Sequence, residues 1–93
     1  MPNEIIIMGV PHKIEYVDCV NKDELKAGEI NFLDCVIRID NSQPLEMQKV
    51  ILLHEVLHGL CNLIGLNDLG ENESAIQALA GGLYSTFKGS TIF

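Results

Sequence analysis

Residues 51 to 60, ILLHEVLHGL, set two histidines and a glutamate inside an otherwise apolar run. No other stretch limits the fold as strongly. An apolar run must be buried, yet imidazoles and carboxylates are costly to bury without partners. The segment therefore has to lie in a core and still bring His54, Glu55 and His58 to something that satisfies them. A helix does both. At about 100° per residue, His58 falls about 40° from His54, so the two rings share one face a turn apart. Met47, Val50, Ile51, Leu57 and Cys61 surround that face, and Glu55 lies at about 100°, beside Gln48 and Asn62. The far side carries Leu52, Val56 and Leu63. The pattern predicts a helix buried on nearly all sides, with one narrow polar stripe where a cleft opens.

The ends of this helix are marked. Asn41-Ser42-Gln43-Pro44 reads as a start, with Pro44 suited to the first helical position. Gly65 stands where a left-handed cap ends the helix after Ile64. Residues 66 to 72 then read as a loop. Asn72 is a good cap for a last helix, which continues through Ala75 to Phe87 across Gly81 and Gly82 and leaves a frayed tail.

The order His-Glu-x-x-His has a chemical meaning. Two neutral imidazoles at i and i+4 reach one tetrahedral ion, and the glutamate, turned off that axis, reaches a water on the ion without ligating it. This points to Zn2+ held by His54 and His58, with Glu55 as general base. A catalytic zinc needs a third protein ligand. Asp68, Glu71, Glu73 and Cys61 are the candidates. On the last helix the apolar stripe is Ile76, Leu79, Ala80, Leu83 and Phe87, and Glu73 sits at its edge. A carboxylate in the first turn also suits the helix dipole. Glu73 is favoured, with Glu71 as the alternative. Cys61 would put three ligands on one helix and strain a tetrahedron. Tyr84 lies almost in line with Glu73 on the wheel, so it is either an oxyanion donor or core packing. Asn62 could orient a ligand. His12, beside Pro11, reads as a structural histidine at a strand end or loop.

The first half has a different period. Glu4 to Met8 is short and β-branched, Gly9 and Pro11 interrupt it, and Lys13 to Val20 alternates. Residues 21 to 29 are polar with a glycine, a turn or one loose helical turn. Ile30 to Asp40 is a third strand. The expectation is an α+β fold: a small, mainly antiparallel sheet of about three strands, packed on the histidine-bearing helix, plus a C-terminal helix. With 93 residues, the chain is one domain, 1–93.

Charge and cysteines narrow the function. A net charge of −7 repels phosphate backbones and anionic membranes, so neither nucleic acid nor membrane is expected as partner. The N-terminus lacks the basic region of a signal peptide, and no apolar run is long enough to span a bilayer. Cys19, Cys35 and Cys61 are odd in number and widely spaced; they read as reduced, mostly buried residues of a cytoplasmic protein.

The run LLHEVLHGL, preceded by strands and followed by ENESAIQALAGGLY, resembles the ImmA/IrrE-like metallopeptidases, and among them the short members linked to phages and mobile elements. The Gly28-Glu29-Ile30-Asn31 stretch matches their G-x-I-(N/D), and Leu79-Ala80-Gly81-Gly82-Leu83-Tyr84 matches their L-A-x-x-L-Y. The resemblance implies a minimal zincin-like, gluzincin-like zinc protease: His54, His58 and a downstream glutamate on the metal, Glu55 as base, and a peptide or protein as substrate. Known members cleave repressor-type transcription factors, often from beside a DNA-binding domain that this chain does not contain. In such folds an edge strand holds an extended peptide, and Ile30 to Asp40 is the candidate. Two rivals stand beside this: a metal-stabilised, catalytically silent interaction or regulatory module with a protein partner, and a zinc hydrolase acting on nucleic acid.

Overall fold

A computed structural model of the chain describes residues 1–21 and 25–89. The segment expected as a turn, 21 to 29, lies partly outside the described residues at 22–24, and so does the tail at 90–93.

Four strands form one sheet: β1 (Glu4–Ile7), β2 (Val10–Val17), β3 (Gly28–Asn31) and β4 (Val36–Asp40). Their order is β1-β2-β4-β3. Met8 and Gly9 both take positive φ, 49° and 78°, and make the two-residue turn whose twist suits a tight hairpin. Pro11, expected to interrupt, lies within β2 opposite Ile6. Its missing N–H costs nothing there, because it faces away from β1 and the β2–β4 ladder begins only at Lys13.

The expected third strand, Ile30 to Asp40, is in fact a hairpin. The chain turns through residues 32–35, and Asn31 Oδ1 accepts a hydrogen bond from the Asp34 N–H at 3.0 Å. Cys35 closes the turn at φ 54°. Asn and Asp stabilise turns through such bonds, but the apolar Phe32 and Leu33 between them disguise the signal. The sheet thus has four strands, not three. The outer ladders are antiparallel, and β4 runs parallel to β2 at the centre. The α+β architecture stands.

Three helices follow: α1 (Leu45–Ile64), α2 (Asn67–Gly70) and α3 (Glu73–Lys88). Pro44 is the residue just before α1 rather than its first, at φ −55° and ψ 149°. Gly65 ends α1 in the left-handed region, at φ 79°, and its N–H and that of Leu66 both reach Cys61 O. The expected loop after it contains the short α2. Asn72 caps α3 as expected, its Oδ1 accepting from the Ala75 N–H at 3.1 Å.

Ile7, Ile14, Ile37, Ile39, Ile51 and Leu52 form the core between the sheet and α1. Burying each of these side chains is worth about 1.5–3 kcal/mol. Ile76 and Ala80 of α3 are also fully buried, where α3 packs on α1 and α2. The expectation that α1 is buried on nearly all sides is corrected. Ile51, Leu52, Glu55, Gly59 and Cys61 are buried, whereas Leu45, Met47, Leu63 and Ile64 are exposed. A 20-residue helix is about 30 Å long, and the five residues of β4 span about 17 Å. Both ends overhang. Leu79 and Phe87 of the expected α3 stripe are exposed as well.

Candidate metal centre

His54 and His58 lie at mid-helix, where α1 crosses the end of α3. Their side chains are only 15% and 14% exposed. The two Nε2 atoms are 3.1 Å apart, with ring planes at 61°. Glu73, the first residue of α3, brings its carboxylate against both: Oε2 is 3.1 Å from His54 Nε2, and Oε1 is 2.8 Å from His58 Nε2. Residues 15 and 19 positions apart in sequence thus converge on one point. The Asn72 cap fixes the first turn of α3, and the buried Ile76 seats that helix on α1.

The donor set fits a zinc ion. It consists of two imidazole nitrogens and a carboxylate oxygen, all within 4.8 Å of one another. Tetrahedral ligands at zinc bond lengths stand about 3.3 Å apart, close to the spacings observed. Two imidazole lone pairs facing each other beside a carboxylate repel unless a proton or a cation lies between them. With three protein ligands, a tetrahedral ion held here would have its fourth position open.

Glu55 stands next to this cluster and outside it. It is 6% exposed. Burial first, then the nearby carboxylates of Glu73 and Glu29, push its pKa up to about 7, against the pull of His54 and Lys26. A carboxylate poised near neutrality suits a general base. It lines a cavity of about 450 Å³ shared with His54, His58 and Glu73 and bordered by Gly28 and Ile30 of β3. Gly28 permits this close approach. A Cβ there would lie 2.5 Å from Ile51 Cγ2 and 3.0 Å from Glu55 Oε2, so any side chain would push the strand off the helix.

Other expected residues fall elsewhere. Tyr84 is not at this site. Its hydroxyl donates to Glu46, and it borders a separate hollow near the N-terminus with Lys49, Leu53 and Phe87. The wheel placed it in line with Glu73 correctly in angle. Eleven residues of helix nevertheless carry it about 16 Å along the axis. Glu71 follows α2 as its cap and, with Asn62, lines a smaller cavity beside His58. Neither Asp68, Glu71 nor Cys61 is part of the ligand group. His12 is buried within β2, its Nδ1 2.8 Å from Val10 O, a structural arrangement. Of the cysteines only Cys61 is buried; Cys19 is exposed and Cys35 half-buried. The turns they occupy explain it, since Cys19 follows the end of β2 and Cys35 closes the β3–β4 hairpin.

Sequence reasoning missed two residues here. Gly28 appeared only within a motif, with no hint of its contact with Glu55. Gln77 was not considered at all, although it stands one turn after Glu73 on the same face. Its Oε1 lies 2.8 Å from His54 Nδ1.

Comparison with known proteins finds no family model, no curated protein and no solved structure that matches this chain.

Proposed function

We propose that this chain is a small zinc-dependent metallopeptidase of the ImmA/IrrE-like kind. The observation that carries the reading is the convergence of His54, His58 and Glu73 beside the buried Glu55, in a cavity walled by an edge strand. A zinc ion held by the three ligands would supply a Lewis acid and lower the pKa of water toward neutrality. Glu55 removes the proton from the attacking water and delivers it to the leaving amine, so one water is consumed for each peptide bond broken.

The edge strand is β3, not the whole of Ile30 to Asp40, because β4 is central. The Asp40 N–H donates to Ala27 O, which makes 27 and 40 a hydrogen-bonded pair. By alternation Gly28 and Ile30 turn their N–H and C=O groups away from β4. An extended peptide pairs with those groups and passes across Glu55. Free thiols at Cys19, Cys35 and Cys61 support a reducing compartment such as the cytoplasm. The net charge of −7 disfavours nucleic acid as substrate. No described helix is long and apolar enough to cross a membrane.

A second reading is a metal-stabilised interaction or regulatory module without catalysis. One observation favours it: Tyr84, the expected oxyanion donor, is engaged by Glu46. Glu55→Gln separates the two. Zinc-loaded wild type and variant are incubated with a randomised fluorogenic peptide library. Cleavage by wild type, lost in the variant while zinc is retained, supports the peptidase. Zinc binding with no cleavage by either favours the module.

A further inference from the structure

We propose that Gln77 is a positioning residue of this centre: its side-chain oxygen holds the Nδ1–H of His54 and so keeps Nε2 available as the ligand atom. The inference rests on the zinc site proposed above and concerns how His54 is prepared for the ion.

A neutral imidazole carries one proton, and the nitrogen without it is the ligand. His54 Nδ1 lies 2.8 Å from Gln77 Oε1. An amide oxygen can only accept, so Nδ1 donates and carries the proton. Nε2 is then the lone-pair nitrogen, and it is Nε2 that faces His58 Nε2 and the Glu73 carboxylate. The tautomer and the direction of the ring are thus set by the same contact.

The source of that contact matters. Gln77 is four residues after Glu73, one turn along the same face of α3. One helix therefore delivers both the third ligand and the group that orients the first. Docking of α3 on α1 through Ile76 and Ala80 places the two together. Both histidines face Glu73 and each other through Nε2, and His54 meets Gln77 through Nδ1. Gln77 is also neutral. It orients His54 without adding charge to a cavity that already holds Glu55 and Glu73.

The test uses the full chain as wild type, Gln77→Leu and Gln77→Glu. Zinc affinity is measured by competition with a chromophoric chelator. Gln77→Leu, which keeps the bulk and loses the oxygen, is expected to bind zinc 10–100-fold more weakly, the usual scale for such partners (about 1–2 decades). Gln77→Glu retains the acceptor and is expected to bind at least as tightly as wild type. Nitrogen NMR of metal-free wild type at alkaline pH is expected to show His54 with its proton on Nδ1, and Gln77→Leu to lose that preference. Gln77 is exposed, so thermal unfolding of the metal-free variants should match wild type, which a merely structural role would not predict. Equal zinc affinity of wild type and Gln77→Leu overturns the role of Gln77 while leaving the site intact. A His54 proton on Nε2 in wild type also overturns it. Wild type that binds no zinc at all overturns the metal site itself and this inference with it.

Discussion

Glu55 is where burial and charge meet most sharply. Its carboxyl is held near pH 7, above the ordinary value of 4.5, so without metal the folded chain keeps a proton that the unfolded chain releases. Glu55 therefore contributes most to the stability of the metal-free protein below about pH 4.5, and this contribution is lost as pH rises through about 7. At about 1.4 kcal/mol per pH unit, the loss approaches about 3 kcal/mol. Glu55→Gln removes the slope. Comparing denaturant unfolding of the two metal-free proteins should show equal stability at acid pH and a more stable variant at alkaline pH; parallel curves would refute the buried carboxylate. Glu73→Ala should abolish stoichiometric zinc by elemental analysis, and Glu71→Ala should leave it unchanged. Angle was enough to bring Glu73 beside His54 and His58, because Glu73 opens α3 whereas Glu71 precedes its cap. For Tyr84 it was not, because angle alone ignores the rise along the axis.

At the scale of elements, the site depends on two junctions. The first is the start of α3. Asn72 satisfies the Ala75 N–H, and its removal leaves the turn that carries Glu73 to fray. Asn72→Ala is expected to lower stability by about 1 kcal/mol and to weaken zinc binding, read by urea titration and chelator competition on the same samples. Zinc affinity unchanged in a destabilised variant would mean that Glu73 is held by its contacts with α1 alone. The second junction is β3 against α1. Gly28→Ala forces a methyl against Ile51 and Glu55, and overpacking of this kind costs about 1–3 kcal/mol. Peptide cleavage should fall further than the loss of stability explains, with zinc retained, because His54, His58 and Glu73 stand on α1 and α3 rather than on β3. A cleavage rate equal to wild type would show that β3 has room to move. The hairpin that contains β3 was legible only in part. Its strands follow from Val, Ile and alternation, but the turn between them depends on Asn31 reaching Asp34.

For the whole molecule, a metal held by His54, His58 and Glu73 would tie α1 to α3. Ile76 and Ala80 are the buried side chains that α3 contributes. Zinc bound to the folded state stabilises it by mass action, about 2.7 kcal/mol at a free concentration 100 times Kd. For a domain this small that corresponds to a rise in Tm of roughly 10–20 °C. Calorimetry with and without a chelator checks it. A shift absent in wild type would remove the metal from both the fold and the chemistry. A shift present in wild type and lost in Glu73→Ala would locate it at the junction of the two helices.

What the sequence by itself determined is local and periodic. The span of α1, its glycine stop, the Asn72 cap and the placing of two imidazoles on one face all follow from the 3.6-residue repeat and from backbone preferences of single residues. The α+β class follows from the change of period at the middle of the chain. Only the tertiary structure decided the rest. The parallel β2–β4 pairing, the open edge of β3, the contact of Gly28 with Glu55 and the hold of Gln77 on His54 each join residues far apart along the chain. Such contacts depend on where whole elements come to rest and on axial as well as angular position, and no repeat within one segment encodes them.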